Sequence, residues 1–227
     1  MNPELFGWQH FTYLSVCIIL MVLGICSVKK YVKSDKTLVL IIKLVALALL
    51  ISILINRYVQ VQSYDNWLYM LPNTYCGLSS TVLALSVLLT KRDSVFLHFI
   101  VYLGFIGGVL TLIYPDFIGQ ANSLFYMPTF SGLLHHTIMT FLILLMAITG
   151  YFKPSIKKWY CVPLGLTCFM TWGLFLYDIV GIGAMQIGNS KFEGISGLNW
   201  FNVGIIFLAA YFVFIISYEF IKKKLKK

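Results

Sequence analysis

The chain has 227 residues, 59% of them hydrophobic and only 11% charged, with a net charge of +9. Soluble domains carry about 25% charged residues, so this chain lacks the charge to cover a water-facing surface. Soluble enzymes, disordered regulators and free nucleic-acid-binding domains are poor readings. The basic excess fits the loops of a membrane protein, since no Arg/Lys stripe interleaved with aromatics marks a nucleic-acid partner.

Seven apolar runs follow in order: residues 11–28, 37–56, 71–90, 95–114, 132–152, 159–183 and 200–221. A bilayer core of about 30 Å needs about 20 apolar residues per helix. The runs are long and unbroken, unlike the short alternating segments of a barrel. The expectation is a single all-α domain over residues 1–227, a polytopic bundle of about seven transmembrane helices. Two longer connections, 115–131 and 184–199, are rich in Gly, Asn, Ser and Pro and are expected to fold back as caps. The first run lacks a basic n-region and a cleavage site and is read as a retained helix. Gly104-x-x-x-Gly108 is a weak signal for close helix contact.

Charge orients the bundle. Of the 17 basic residues, all but Lys43, Arg57 and Lys191 fall in alternate loops or in the C-terminal tail. The positive-inside rule then predicts a multi-pass protein of the cell membrane, with its N-terminus outside and its C-terminus cytoplasmic. Lys43 lies close enough to the basic end to snorkel. Trp8, Trp67, Tyr69, Trp200 and Phe201 fit an interfacial belt.

Polar side chains gather at the opposite end: His10 and Tyr13, Asn56 and Arg57, Pro72, Asn73 and Cys76, His135 and His136, Asp178, Asn199 and Asn202. Ionisable groups inside a membrane face the bundle interior or a wet cavity and tend to be functional. Runs three and five point the same way, with Cys76 and His136 about 6–9 Å below the interface. A histidine beside a cysteine can take its proton, and the thiolate is the nucleophile. The remaining candidates bind substrate: Arg57, whose planar fork suits phosphate, with His10, His135, Asp178, Asn199 and Asn202. Asn199 or Asn202 is a candidate oxyanion donor.

Duller readings stand beside these. Cysteines in apolar helices usually pack as small hydrophobes, and Cys17, Cys26, Cys161 and Cys168 are read so. Asp178 and Arg57 suit a structural ion pair. His135 and His136 lie about 100° apart on a helix, so one is expected to face the bundle and the other a neighbour or lipid. His10, Cys76, His135 and His136 are metal-type residues without metal-site spacing, and neither metal nor cofactor is expected.

The order Trp8-Gln9-His10-Phe11, Asn56-Arg57, Leu71-Pro72-x-x-x-Cys76, Tyr114-Pro115, His135-His136 and Asp178, ending in Gly197-Leu198-Asn199-Trp200, resembles the YwaF-like bacterial integral membrane proteins. These are similar to the eukaryotic transmembrane protein 164 family. The resemblance spans essentially the whole chain and implies a lipid acyltransferase, with Cys76 as acyl carrier and His136 as the later histidine. His136 is preferred to His135 from its spacing to Tyr114-Pro115 and to Met139. The chain departs from the eukaryotic pattern in placing Pro72 four residues before the cysteine rather than directly before it. A more distant likeness is to the androgen-induced family of intramembrane lipid hydrolases, which have threonine where Cys76 stands.

The resulting expectation is an intramembrane acyltransferase acting on phospholipid or lysophospholipid near the outer leaflet. A lipid hydrolase, a non-enzymatic binding or transport protein, and an assembly factor are the competing readings. Membrane lipid is the expected partner.

Overall fold

The computed structural model describes residues 7–114, 126–185, 187 and 200–224. Among them lie seven helices and no strand. They are α1 (Trp8–Tyr31), α2 (Asp35–Tyr64), α3 (Tyr75–Leu89), α4 (Val95–Ile113), α5 (Met127–Ile148), α6 (Cys161–Phe175) and α7 (Trp200–Lys224). The protein is a polytopic helical bundle. Six of its helical stretches are long and apolar enough to cross a membrane, and α3 is shorter.

Three boundaries differ from the hydropathy reading, and each matters for the polar end. The 30 residues of α2 extend about 45 Å, so Arg57 lies two turns inside a helix that was expected to close there. Pro128 at the second position of α5 supports its early start, because a first-turn proline costs no helical hydrogen bond. His135 and His136 therefore sit eight or nine residues into α5. Residues 71–74 form an extended approach to α3, preceded by the 3-10 turn Trp67–Met70. Thr74 caps α3, its hydroxyl accepting from the Gly77 amide at 3.0 Å, so Cys76 lies in the first helical turn.

Helices α4 and α5 form the centre. Their most apolar windows are 67% and 61% buried, against 17% for α1 and 22% for α7. In lipid, apolar area alone does not drive helices together, and close packing at small residues does. A Cβ on Gly104 would stand 3.1 Å from Ile143 and 3.3 Å from the Met139 sulfur. One on Gly108 would stand 2.5 Å from the Thr140 hydroxyl. The Gly104/Gly108 face is thus the seat of α5. Between them, on another face, Gly107 receives Cys76 of α3.

The basic end is tied by charge. Asp93, in the left-handed region at φ 56°, accepts from His98 Nε2 at 2.6 Å and from Lys158 Nζ at 3.0 Å. Lys158 also donates to the Asp93 carbonyl at 2.8 Å. Arg92 pairs with Asp35 at 2.6 Å and lies over the Tyr151 ring. Three basic-side connections are thereby clasped together. Burial alone would raise the Asp93 carboxyl, but its bonds to Lys158 and His98 outweigh this and hold it below the ordinary range.

Two tests follow from these contacts. Gly108→Ala should destabilise the bundle by about 1–3 kcal/mol through overpacking, and adding Thr140→Ala should recover part of the loss; thermal unfolding in detergent reads both. The lowered Asp93 carboxyl makes the clasp fully effective above about pH 4 and progressively lost as pH falls through the folded-state value. Asp93→Asn should therefore lower the melting temperature at pH 7 and flatten its decline in acid.

Candidate functional site

The level of each helix at the polar end is set by three contacts. Ser80 Oγ of α3 donates to the Met139 sulfur of α5 at 3.3 Å, and Met139 also lies against Gly104 and Gly108 of α4. Helices α3 and α5 run in the same direction and α4 runs against them. One turn further from the basic end, α3 and α4 meet at Cys76 and Thr111, and α5 carries His135 and His136 about one turn before Met139. The Cys76 sulfur is 3.9 Å from the Thr111 hydroxyl, and Cys76 is half-buried. It sits at the positive end of the α3 dipole, where negative charge is favoured.

Both histidines are buried and their rings are 4.0 Å apart. Neither faces lipid, because α5 is surrounded by other helices; of the two expected surroundings for the second ring, a neighbouring helix and lipid, the structure shows the helix. His135 Nδ1 donates to the Ser131 carbonyl at 3.0 Å, and His136 Nδ1 donates to the Gly132 carbonyl at 2.6 Å. These bonds place the proton on Nδ1 and leave each Nε2 as a bare acceptor, the tautomer of a general base. Neither Nε2 has a hydrogen-bond partner. Ser131, one turn before His135, bonds to α2, whereas Thr140, one turn after His136, meets Gly108 of α4. His135 therefore lies toward α2 and His136 toward the helix on which Cys76 rests.

Arg57 packs on the first turn of α3, where a Cβ on Gly77 would stand 3.6 Å from its Cζ. It is 6% exposed, with Nη1 donating to Asn73 Oδ1 at 2.7 Å and Nη2 to Asn56 Oδ1 at 2.8 Å. Its Nε has no partner, and among the described residues no carboxylate lies within salt-bridge reach. Asn56 Nδ2 donates to Ser131 Oγ at 3.0 Å. Asn73 Nδ2 donates to the Gly183 carbonyl at 2.9 Å, and the Asn73 carbonyl accepts from the Met185 amide at 2.9 Å. Trp172 Nε1 donates to the Pro72 carbonyl at 3.0 Å. One chain of bonds thus links α2, the approach to α3, α5 and the segment after α6.

The anticipated Arg57–Asp178 pair is not formed. Asp178 is exposed and lies in the single π turn Leu176–Val180 that ends α6. That turn closes at Gly181, φ 76°, and sends residues 182–185 back against Asn73, so main chain rather than a carboxylate reaches the arginine's support. His10 is buried, and its Nε2 donates to the Leu112 carbonyl at 2.8 Å, pinning α1 to the end of α4. Asn202 is half-buried at the start of α7. Phe207, five residues further along α7, packs on Tyr75, so Asn202 stands over a turn along α7 from the ring contact with α3. Asn199 and most of both expected caps lie outside the described residues. Among the described residues no cluster of three or more His, Cys, Asp or Glu side chains forms a metal site.

Sequence reasoning gave no role to Asn56 and Asn73, although both interrupt or border apolar runs, and it missed Ser131 and Thr111. Small hydroxyl residues are common in membrane helices and carry no distinguishing signal of their own. Replacing Asn56 by Leu should cost about 3 kcal/mol, because it strips one of two anchors from a buried cation and leaves the Ser131 hydroxyl without its donor. Unfolding of the purified protein in detergent measures this.

A family model described as TMEM164 family matches residues 5–222. No curated protein and no solved structure matches the chain. The match covers nearly the whole sequence, and the chain belongs to the TMEM164 family.

Proposed function

We propose that the protein is an intramembrane acyltransferase that moves a fatty acyl chain between phospholipid and lysophospholipid through Cys76 and His136. The observation that carries this reading is the packing of a buried guanidinium on the first turn of α3, beside a half-buried thiol: a Cβ on Gly77, the neighbour of Cys76, would stand 3.6 Å from Arg57 Cζ. His135 and His136, each with a bare imidazole nitrogen, lie about one turn along α5 from Ser131, which bonds to Asn56, an anchor of that arginine. A glycerophospholipid likewise carries its phosphate and its ester carbonyls only a few bonds apart.

In the proposed reaction His136 Nε2 accepts the Cys76 proton, and sulfur attacks the ester carbonyl. The carbonyl–oxygen bond breaks, and the departing lysophospholipid oxygen takes the proton from the imidazolium. An acyl thioester remains on Cys76. A lysophospholipid hydroxyl then gives its proton to His136 and attacks the thioester, and the returning proton restores the thiol. Water in place of the lysophospholipid would release a fatty acid, the hydrolase outcome. Arg57 binds the phosphate, and the apolar basic-side half of the bundle accommodates the chain.

Incubating the protein with radiolabelled phospholipid should produce a hydroxylamine-labile adduct that is absent from Cys76→Ala. His136→Ala should slow acyl turnover by about 10²–10⁴-fold, with a smaller effect for His135→Ala. Equal turnover in Cys76→Ala and the parent protein would reject the reading.

A further inference from the structure

Charged groups are rarely buried without a partner of opposite sign, since desolvating an ion costs several kcal/mol. Among the described residues, Arg57 breaks this pattern. Its two bonded nitrogens meet neutral amide oxygens, those of Asn56 and Asn73, and its Nε meets nothing. Asp in place of either Asn would keep the shape and the bond to the guanidinium while cancelling the charge, and would give up only the amide's own donation. The asparagines fix the direction of the guanidinium from two sides and leave its full positive charge available. Each is itself held on its remaining side, Asn56 by Ser131 and Asn73 by the carbonyl of Gly183. Their orientation is therefore defined, with oxygens toward the cation and NH₂ groups away from it.

We infer that Asn56 and Asn73 are specificity-determining positioning residues, which hold Arg57 aimed but undischarged so that the site takes a phosphate-bearing ligand and refuses a neutral one. The role of Arg57 as headgroup site rests on the acyl-transfer reading, but the anion preference stands independently of catalysis. Phosphate chemistry is shared by a phospholipid headgroup and a free phosphate ion. The position of Arg57 two turns inside α2, on a buried face, favours the lipid.

The test uses the full chain in detergent, with binding of phosphatidic acid, diacylglycerol and inorganic phosphate read by native mass spectrometry and by thermal shift. The parent protein should retain phosphatidic acid over diacylglycerol by about tenfold or more, the discrimination expected of a close charge pair. Asn56→Asp should lose that preference while melting near the parent temperature, because it gains an ion pair and the Ser131 hydroxyl can turn to donate to the carboxylate. Asn73→Asp is the second variant, with the same loss of preference but a lower melting temperature, since its carboxylate would face the Gly183 carbonyl. Asn73→Ala should weaken retention without inverting it, since the charge remains but its aim is lost. Inorganic phosphate that fails to displace phosphatidic acid identifies the lipid as ligand; displacement with matching affinity identifies the free ion and overturns the lipid assignment. A folded Asn73→Asp or Asn56→Asp protein that still prefers phosphatidic acid overturns the inference. The acyl-transfer reading fails separately, if no thioester forms on Cys76 in a protein whose charge preference behaves as described.

Discussion

The polar end of this bundle is organised around one costly fact, a guanidinium placed among helices with no carboxylate among the described residues to answer it. A membrane interior tolerates such a group when its hydrogen bonds are met and its charge has a use. Arg57 has the bonds, through Asn56 and Asn73, and those same bonds reach Ser131 on α5 and the main chain after α6. Moving the cation would disturb four parts of the chain at once. The result is a rigid polar cluster packed on the first turn of α3, the turn that carries Cys76.

What lets these helices approach is small-residue packing along α4. Gly104 and Gly108 admit α5, and Gly107 admits the first turn of α3. Without that stripe α3 and α5 would be held off α4 by side-chain bulk. Two different forces therefore cooperate. Close van der Waals contact sets the spacing of α3, α4 and α5, and hydrogen bonding sets the direction of the polar groups. The basic end is built differently, with a charged clasp of Asp93, His98 and Lys158 at the interface, where water and headgroups can share the cost.

Most of the architecture was legible in hydropathy. The number of apolar runs, their connection and the gathering of polar residues at one end all follow from composition by position. Helix ends were less legible, because α2 continues through the polar stretch after Arg57 and hydropathy stops where charge begins. That error placed Arg57 at a helix end, where the structure has it in a helix interior. The failed Arg57–Asp178 pairing has a related cause. Opposite charges near one membrane face suggest a pair, but the π turn at Leu176–Val180 and the return of residues 182–185 are tertiary features with no simple periodic signature. The fate of His10 was equally hidden, since a ring that caps a helix-end carbonyl and one that faces a ligand look alike in sequence.

The most direct measurement is the distance between the Arg57 guanidinium and lipid phosphorus, by nitrogen–phosphorus dipolar recoupling NMR of arginine-labelled protein in phospholipid bilayers. The chain has two arginines, Arg57 and Arg92, so a sample carrying Arg92→Lys isolates the signal. A buried cation awaiting a headgroup predicts strong dephasing, corresponding to about 4 Å or less, as in a hydrogen-bonded guanidinium–phosphate pair. A signal from Arg57 that phosphorus leaves unchanged would contradict the account.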